Sequence, residues 1–493
     1  MSQSNSSMSR NAVSGATVRR KTLLVLMAHV VQMTRVCVLA RPLLPPPTRP
    51  SAAARFECWS TPDDLPPFSR VMKPCFPLQP GADALCRCND IVQDCSSNSG
   101  KLSFVPRVRL GAGGVQVLNF SNNNVLRVDD ASFFANVSRD PVWLVDLYNN
   151  NMTFLAPGVF ASFNNLTTLL VGGNRLSYEA LRLAVFSVPT LKKMDIKCGG
   201  LGIMPSGYFN RTSAVHLEDL DMSWNKMRSL DMAVLQPLVS LRRLTLWHNK
   251  LYNLDTAFLP SLHYMSFHKN GIPDFPRTCQ DGANKSLFPN LKVLDLNFNL
   301  ISALSDPICL PRLQVLNLQY NRIQHFYSNM FSELRFPVLK KLELNQMESM
   351  IRHMDGYTFN NSLLDYISFS QNNLDFSSTT VSEDVFAGCD MVKVVFLNSN
   401  NFETISAGKF QRLFRPTPRL RSLYLANSQI AVVHRETFRY ISNLGSLDLN
   451  HNALMSLPDG MFDDLRKLRN LSIQNNRLTS ISSDTFGPET RAR

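Results

Sequence analysis

The 493-residue chain has no run of ~20 apolar residues, the length that a membrane-spanning helix needs. The apolar stretch Leu23–Val31 falls well short of it. The chain also lacks a nucleophile elbow, an H-E-x-x-H pair, a Gly-rich phosphate loop and paired acids at a cleft. An enzyme is therefore not expected, and neither is a cofactor or a metal. No cysteine lies beyond Cys389, so a terminal cysteine cap is missing before Arg493. Acid is missing from residues 1–40, which hold five of the +13 formal charges and leave +8 for the rest. That balance favours acidic partners without selecting one.

What the chain has in abundance is one spacing. Residues 444–454, LGSLDLNHNAL, place Leu444, Leu447, Leu449, Asn452 and Leu454 in the pattern L-x-x-L-x-L-x-x-N-x-L. Fifteen copies occur, starting at Val115, Val142, Leu166, Leu191, Leu217, Leu241, Leu262, Leu291, Leu313, Leu339, Leu364, Val392, Leu420, Leu444 and Leu468. Twelve carry Asn at the ninth position, and the others have Gly199, Met347 and Ser428. This is the leucine-rich-repeat signature. The fold class expected is an α/β repeat, a leucine-rich-repeat solenoid. A parallel sheet lines its concave face and irregular segments form its convex side. Each L-x-L makes a short strand with its leucines inward, and the repeated Asn satisfies backbone groups left open by the turn. A recurring Phe, from Phe134 through Phe258 to Phe486, is expected to fill the convex core.

The start of the chain reads differently. Arg19, Arg20 and Lys21 precede the apolar run, and Val38 and Ala40 offer a small-residue cleavage site. Residues 1–40 have the layout of a secretory signal peptide; a start assigned too early and a spanning helix are the competing readings. Residues 41–57 form a Pro-rich linker. Residues 58–114 make a Cys-rich cap and 115–493 the repeats, with no C-terminal cap. Cys58, Cys75, Cys86, Cys88 and Cys95 suit disulfides better than zinc, which prefers C-x2–4-C pairs. Cys279 and Cys309 lie in adjacent repeats, the first inside an insertion at 273–290, and are expected to staple it. Cys58, Cys198 and Cys389 show no evident partner, and Cys37 falls in the leader.

The cluster Cys75-x10-Cys86-x-Cys88-x6-Cys95 resembles the N-terminal cap of extracellular leucine-rich-repeat proteins. The crossed pattern of that family implies Cys75–Cys88 and Cys86–Cys95. With the cap, the repeats and their irregular lengths, residues 58–486 resemble the ectodomain of a Toll-like receptor. The resemblance implies innate immune recognition through a horseshoe that binds a protein or microbial ligand. It also implies pairing as a homodimer or as a heterodimer with another leucine-rich-repeat receptor. The chain itself carries no membrane span. The alternative is a secreted or matrix protein of the same fold that binds without signalling. Both readings place it outside the cell. N-glycosylation sequons at Asn119, Asn136, Asn151, Asn165, Asn210, Asn284, Asn360 and Asn470 agree with that location.

The expected binding surface lies on repeats 5–9. Trp224, Trp247, His248, His268, Phe298 and Tyr320 occupy the two positions just before the repeat Asn, with Lys269 among them, and Arg243 and Tyr264 sit earlier on neighbouring strands. Elsewhere these columns hold mostly small polar residues. Exposed aromatics with interleaved cations suit an anionic ligand, nucleic acid or glycan. The competing reading packs the rings against the 273–290 insertion. His248, His263 and His268 fall in the patch, so acidification is expected to raise anionic-ligand affinity. The acids at the middle strand position (Asp146, Asp195, Asp221, Asp295, Glu343, Asp448) read as a common feature of the repeat, not a metal site.

Overall fold

The computed structural model describes residues 114–486 apart from Asn136, Arg211, Ser213, Gly282, Ala283, Ser305 and Thr404, together with short pieces between 73 and 109. The expected signal segment 1–40, the linker 41–57, Cys58 and Cys75 lie outside the described residues. The chain divides after Glu57, and the architecture below is that of the unit Cys58–Arg493.

Each repeat contributes one three-residue strand, from Val117–Asn119 to Asn470–Ser472. Every strand pairs in parallel with that of the next repeat, in unbroken register. Leu220, Leu244, Met265, Leu294 and Leu316 thereby form one row beneath the sheet. All five are at most 1% exposed and belong to one continuous apolar core that runs through the repeats. This is the parallel solenoid that the repeat register calls for. Among the described residues, α-helix is confined to Tyr178–Val185 and Ala407–Phe414, opened by Ser177 and Ser406, whose hydroxyls accept from Ala180 N and Lys409 N. Among the described residues no helix is long and apolar enough to cross a membrane.

The repeat Asn closes each turn with the same set of bonds. Asn225 Nδ2 donates to Met222 O (2.9 Å) in its own turn and to Ile196 O (3.1 Å) in the preceding one. Its Oδ1 accepts from Gly199 N (3.0 Å) and Leu201 N (2.9 Å). Asn174 and Asn452 repeat that arrangement. Where Ser428 replaces Asn, its shorter side chain still reaches Leu397 O at 3.4 Å.

The first strand is covered by a hairpin. Val92–Asp94 runs parallel to Val117–Asn119 and antiparallel to Arg87–Cys88. A Cys86–Cys95 disulfide ties the hairpin. Cys88 is also disulfide-bonded, and the expected pairing with Cys75 reaches outside the described residues. Cys279 is joined to Cys309. Cys198, which showed no partner in the sequence, is disulfide-bonded, and Cys389 is a buried free thiol. The Phe column stacks as expected through Phe331, Phe359 and Phe386. Phe386 then stacks on Phe414, not on the expected Phe410, which packs against Phe414 and Phe438. Phe258 departs from it and is 44% exposed. Its repeat, Leu241 to Leu262, is the shortest, and it leaves too little chain to turn that ring inward.

Asn321 is fully buried, donates to Leu296 O and Leu318 O and accepts from Ile301 N. Asn321→Leu strands these groups, each at about 1–3 kcal/mol. The urea midpoint is expected to fall well below that of the parent, and an unchanged midpoint would remove the ladder from the account.

Candidate functional site

The residue just before the ninth position has a left-handed backbone in all fifteen repeats, with φ from 48° at His248 to 67° at Gly173. Glycine and asparagine enter that region most readily. They hold the position at Asn122, Asn149, Gly173, Asn427 and Asn475. On repeats 5–9 it is held by Trp224, His248, Lys269, Phe298 and Tyr320. For a bulky residue this conformation costs on the order of 1–2 kcal/mol. Five such residues occur in succession.

Their rings lie against one another. Trp224 stacks on His248 with centroids 3.6 Å apart, and Phe298 stacks on Tyr320 at 3.7 Å. His268 joins the two halves edge-on, at 5.7 Å from Trp247 and 5.2 Å from Phe298. Lys269 Nζ lies 6.0 Å from the Trp224 ring, and the Arg243 guanidinium sits 3.8 Å over Tyr264. Trp247 is fixed at both ends: its backbone N–H donates to Ser223 Oγ (3.1 Å) and its Nε1–H to Ser266 Oγ (2.5 Å). Ser266 Oγ in turn donates to Asp295 (2.9 Å), whose carboxyl is pushed up to about 6, chiefly by burial. All eight expected contact residues therefore fall on adjacent turns of one surface. Arg243 is exposed and the seven rings are half-buried.

The 273–290 insertion is engaged elsewhere. It bonds to Leu259 through Leu287 O and to Cys309 through Thr278 and Ser286. His268 departs from the expected pH response. Burial holds its imidazole below the ordinary range, and the charges of Lys269 and His248 add to the depression. Its ring therefore takes up a proton at lower pH than an ordinary histidine does. His263 Nδ1–H donates to Ser261 O at 2.7 Å.

The strand acids have a structural task. The side chains of Asp146, Asp195, Asp221, Asp295 and Asp448 each accept from the backbone N–H two residues on, and Asn119 and Asn317 do the same. Asn119 is therefore a corrected expectation. It is 4% exposed and bonded to Ser121, which closes that sequon to a glycan. Asn165, Asn210, Asn284 and Asn470 are exposed, Asn151 and Asn360 half-buried, and Asn136 lies outside the described residues. Sequence reasoning passed over a second ring cluster on the sheet itself. There Phe396 stacks on Tyr424 at 4.1 Å, with Tyr366 at 5.4 Å from Phe396 and Lys341 Nζ 4.7 Å over Tyr366. An aromatic residue on the strand of each of three successive repeats, Tyr366, Phe396 and Tyr424, was the available signal.

Three family models match parts of the chain: leucine rich repeat at 418–478, leucine rich repeats (2 copies) at 289–329, and BspA type leucine rich repeat region (6 copies) at 310–413. Together these models identify leucine-rich repeats over residues 289–413 and 418–478. It is similar to podocan of Mus musculus, 24% identical over 396 residues, covering 73% of this chain and 61% of podocan. It is similar to the CD180 antigen of Mus musculus, 24% identical over 405 residues, covering 74% and 58%. It is similar to Toll-like receptor 3 of Bos taurus, 26% identical over 238 residues, covering 47% and 23%. The chain thus spans about three-fifths of the length of the first two.

Burial also pushes the carboxyl of Asp146 up to about 7, above the ~3.9 of an unfolded chain. The folded state then binds its proton more tightly. The stability this group contributes is full below about pH 4 and is lost as pH rises through about 7. Asp146→Asn has no carboxyl there. The parent is expected to lose stability relative to this variant between pH 5 and 8 in urea titrations, and parallel pH profiles would contradict the shift.

Proposed function

We propose that this chain is an extracellular recognition module that binds its partner through the aromatic surface of repeats 5–9, in the manner of an innate immune receptor ectodomain. The observation that carries the reading is the unbroken run of five bulky residues at left-handed positions, where five of the other ten repeats use Gly or Asn and the rest use Cys198, Gln346, Gln371, Ser399 and His451. Bulky residues kept at five successive strained positions of a repeat array point to selection for what the side chains present. The rings are held by stacking and by the Trp247–Ser266–Asp295 chain, so little side-chain freedom remains to be lost on binding. Lys269 and Arg243 place positive charge beside them, which suits a ligand that offers planar groups and negative charge. The disulfides fit an oxidising compartment. Likeness to the CD180 antigen and Toll-like receptor 3 supports the immune reading. Likeness to podocan supports the second reading, a secreted or matrix protein whose surface binds protein without signalling.

A single-stranded 20-mer oligonucleotide is the probe. Base stacking on one aromatic side chain contributes about 1–3 kcal/mol. Trp247→Ala is therefore expected to weaken binding about tenfold or more at both pH 7.5 and pH 5.5. Binding that is indifferent to Trp247→Ala moves the ligand off this surface. A parent chain that leaves the oligonucleotide unbound overturns the anionic-ligand reading and favours a protein partner.

A further inference from the structure

The opposite edge of the sheet carries a charge pattern that the aromatic surface does not use. The second residue of each repeat immediately precedes the strand, and its backbone N–H donates to the carbonyl of the same residue in the preceding repeat. From repeat 8 to repeat 15 the chain of bonds runs unbroken: Gln314 N to Lys292 O, Lys340 N to Gln314 O, Asp365 N to Lys340 O, Lys393 N to Asp365 O, Arg421 N to Lys393 O, Gly445 N to Arg421 O and Arg469 N to Gly445 O, all between 2.8 and 3.0 Å. These residues therefore stand in one line, one strand spacing apart. Five of the eight are cations: Lys292, Lys340, Lys393, Arg421 and Arg469. Lys393 is paired with Asp365 at 3.3 Å. The other four are exposed. The position just ahead of each repeat adds Arg312, Arg419 and Lys467 and contributes no acid over the same eight repeats. The acids Asp295, Glu343 and Asp448 sit three residues further along, at the ends of their strands. The same line in repeats 4–6 is internally compensated, with Lys192 and Arg242 both beside Glu218 at 3.8 and 3.7 Å.

We propose that this basic line on repeats 8–15 binds a linear sulfated glycosaminoglycan, independently of the aromatic surface. The spacing selects the partner. Parallel strands lie about 4.8 Å apart, and the cations recur at every second strand over most of the line, roughly every 10 Å. A sulfated disaccharide repeats its charge on that length scale. A nucleic acid carries a phosphate every ~3.4 Å along each strand, far denser than this line. Base recognition also needs open ring faces, and beside the line Lys341 Nζ lies 4.7 Å over the Tyr366 ring. Eight repeats give a groove edge on the order of 35 Å long, enough for several disaccharides in an extended chain.

Heparin immobilised for surface plasmon resonance at about 0.15 M salt is the probe. The variant Lys292→Gln, Lys340→Gln, Arg421→Gln and Arg469→Gln removes the exposed cations. Exposed charge contacts are individually weak, so the four together are expected to lower affinity about tenfold or more. Removing as many cations from the far edge of the turns (Arg175→Gln, Lys226→Gln, Lys250→Gln, Arg477→Gln) is expected to leave most of the affinity. Trp247→Ala is expected to leave it unchanged, which separates this surface from the one proposed above. Should the fourfold variant fold poorly, the pair Lys292→Gln and Lys340→Gln gives the same ordering at smaller size. Four results would overturn the proposal: no heparin binding by the parent, unchanged binding by the line variant, equal loss in both charge variants, or an oligonucleotide that competes as well as heparin.

Discussion

The turn that follows every strand is the constraint on which this structure depends. It reverses the chain in a few residues and leaves carbonyl and amide groups with no strand partner. One buried amide side chain per turn serves groups in its own repeat and in the preceding one, as Asn225 does for Met222, Ile196, Gly199 and Leu201. Neighbouring repeats are thus fastened through their polar groups as well as through the leucine rows. The same turn demands a left-handed residue just before that Asn. Its side chain stands beside the sheet in every repeat but the third, where the position is Gly173. The position is therefore both the most constrained in the repeat and the one best placed to meet a partner.

Most of the architecture was legible in the sequence because its signals are periodic. The strands, the Asn ladder and the Phe column recur fifteen-fold or nearly so, and periodicity fixes which side chains face inward. The Cys279–Cys309 staple followed from two cysteines in adjacent repeats. What escaped was set by distance and not by period. Phe258 fits the Phe pattern but sits in a repeat too short to bury it. Asn119 matches a glycosylation signal, yet the strand uses its amide to cap Ser121. His268 reads as an ordinary titrating histidine until the rings of Trp247 and Phe298 close around it. The aromatic surface was visible as a composition anomaly. The backbone conformation that makes it costly was not, because a φ angle has no letter in the sequence. The basic line on repeats 8–15 was hidden for another reason. Each Lys or Arg beside a leucine looks like an ordinary solvent-facing residue until the backbone bonds set them in a row.

The two edges of the sheet thus differ in kind. One presents rigid rings and a few cations, held by stacking at a backbone cost. The other presents flexible cations at little cost and at long spacing. A solenoid allows this division because each repeat answers only to its neighbours. The strand acids do not blur it, since most of them are turned back onto the backbone.

The central claim is that the rings on repeats 5–9 are kept for binding and not for folding. The most direct test is the stability of the double variant Phe298→Asn and Tyr320→Asn. Asparagine already holds this position in repeats 1, 2, 13 and 15. Relief of the left-handed strain, about 1–2 kcal/mol per residue, should offset the lost stacking of about 0.5–1.5 kcal/mol per ring pair. The account expects a urea midpoint equal to or above that of the parent. A loss of several kcal/mol would show that the rings are a structural spine and would contradict it.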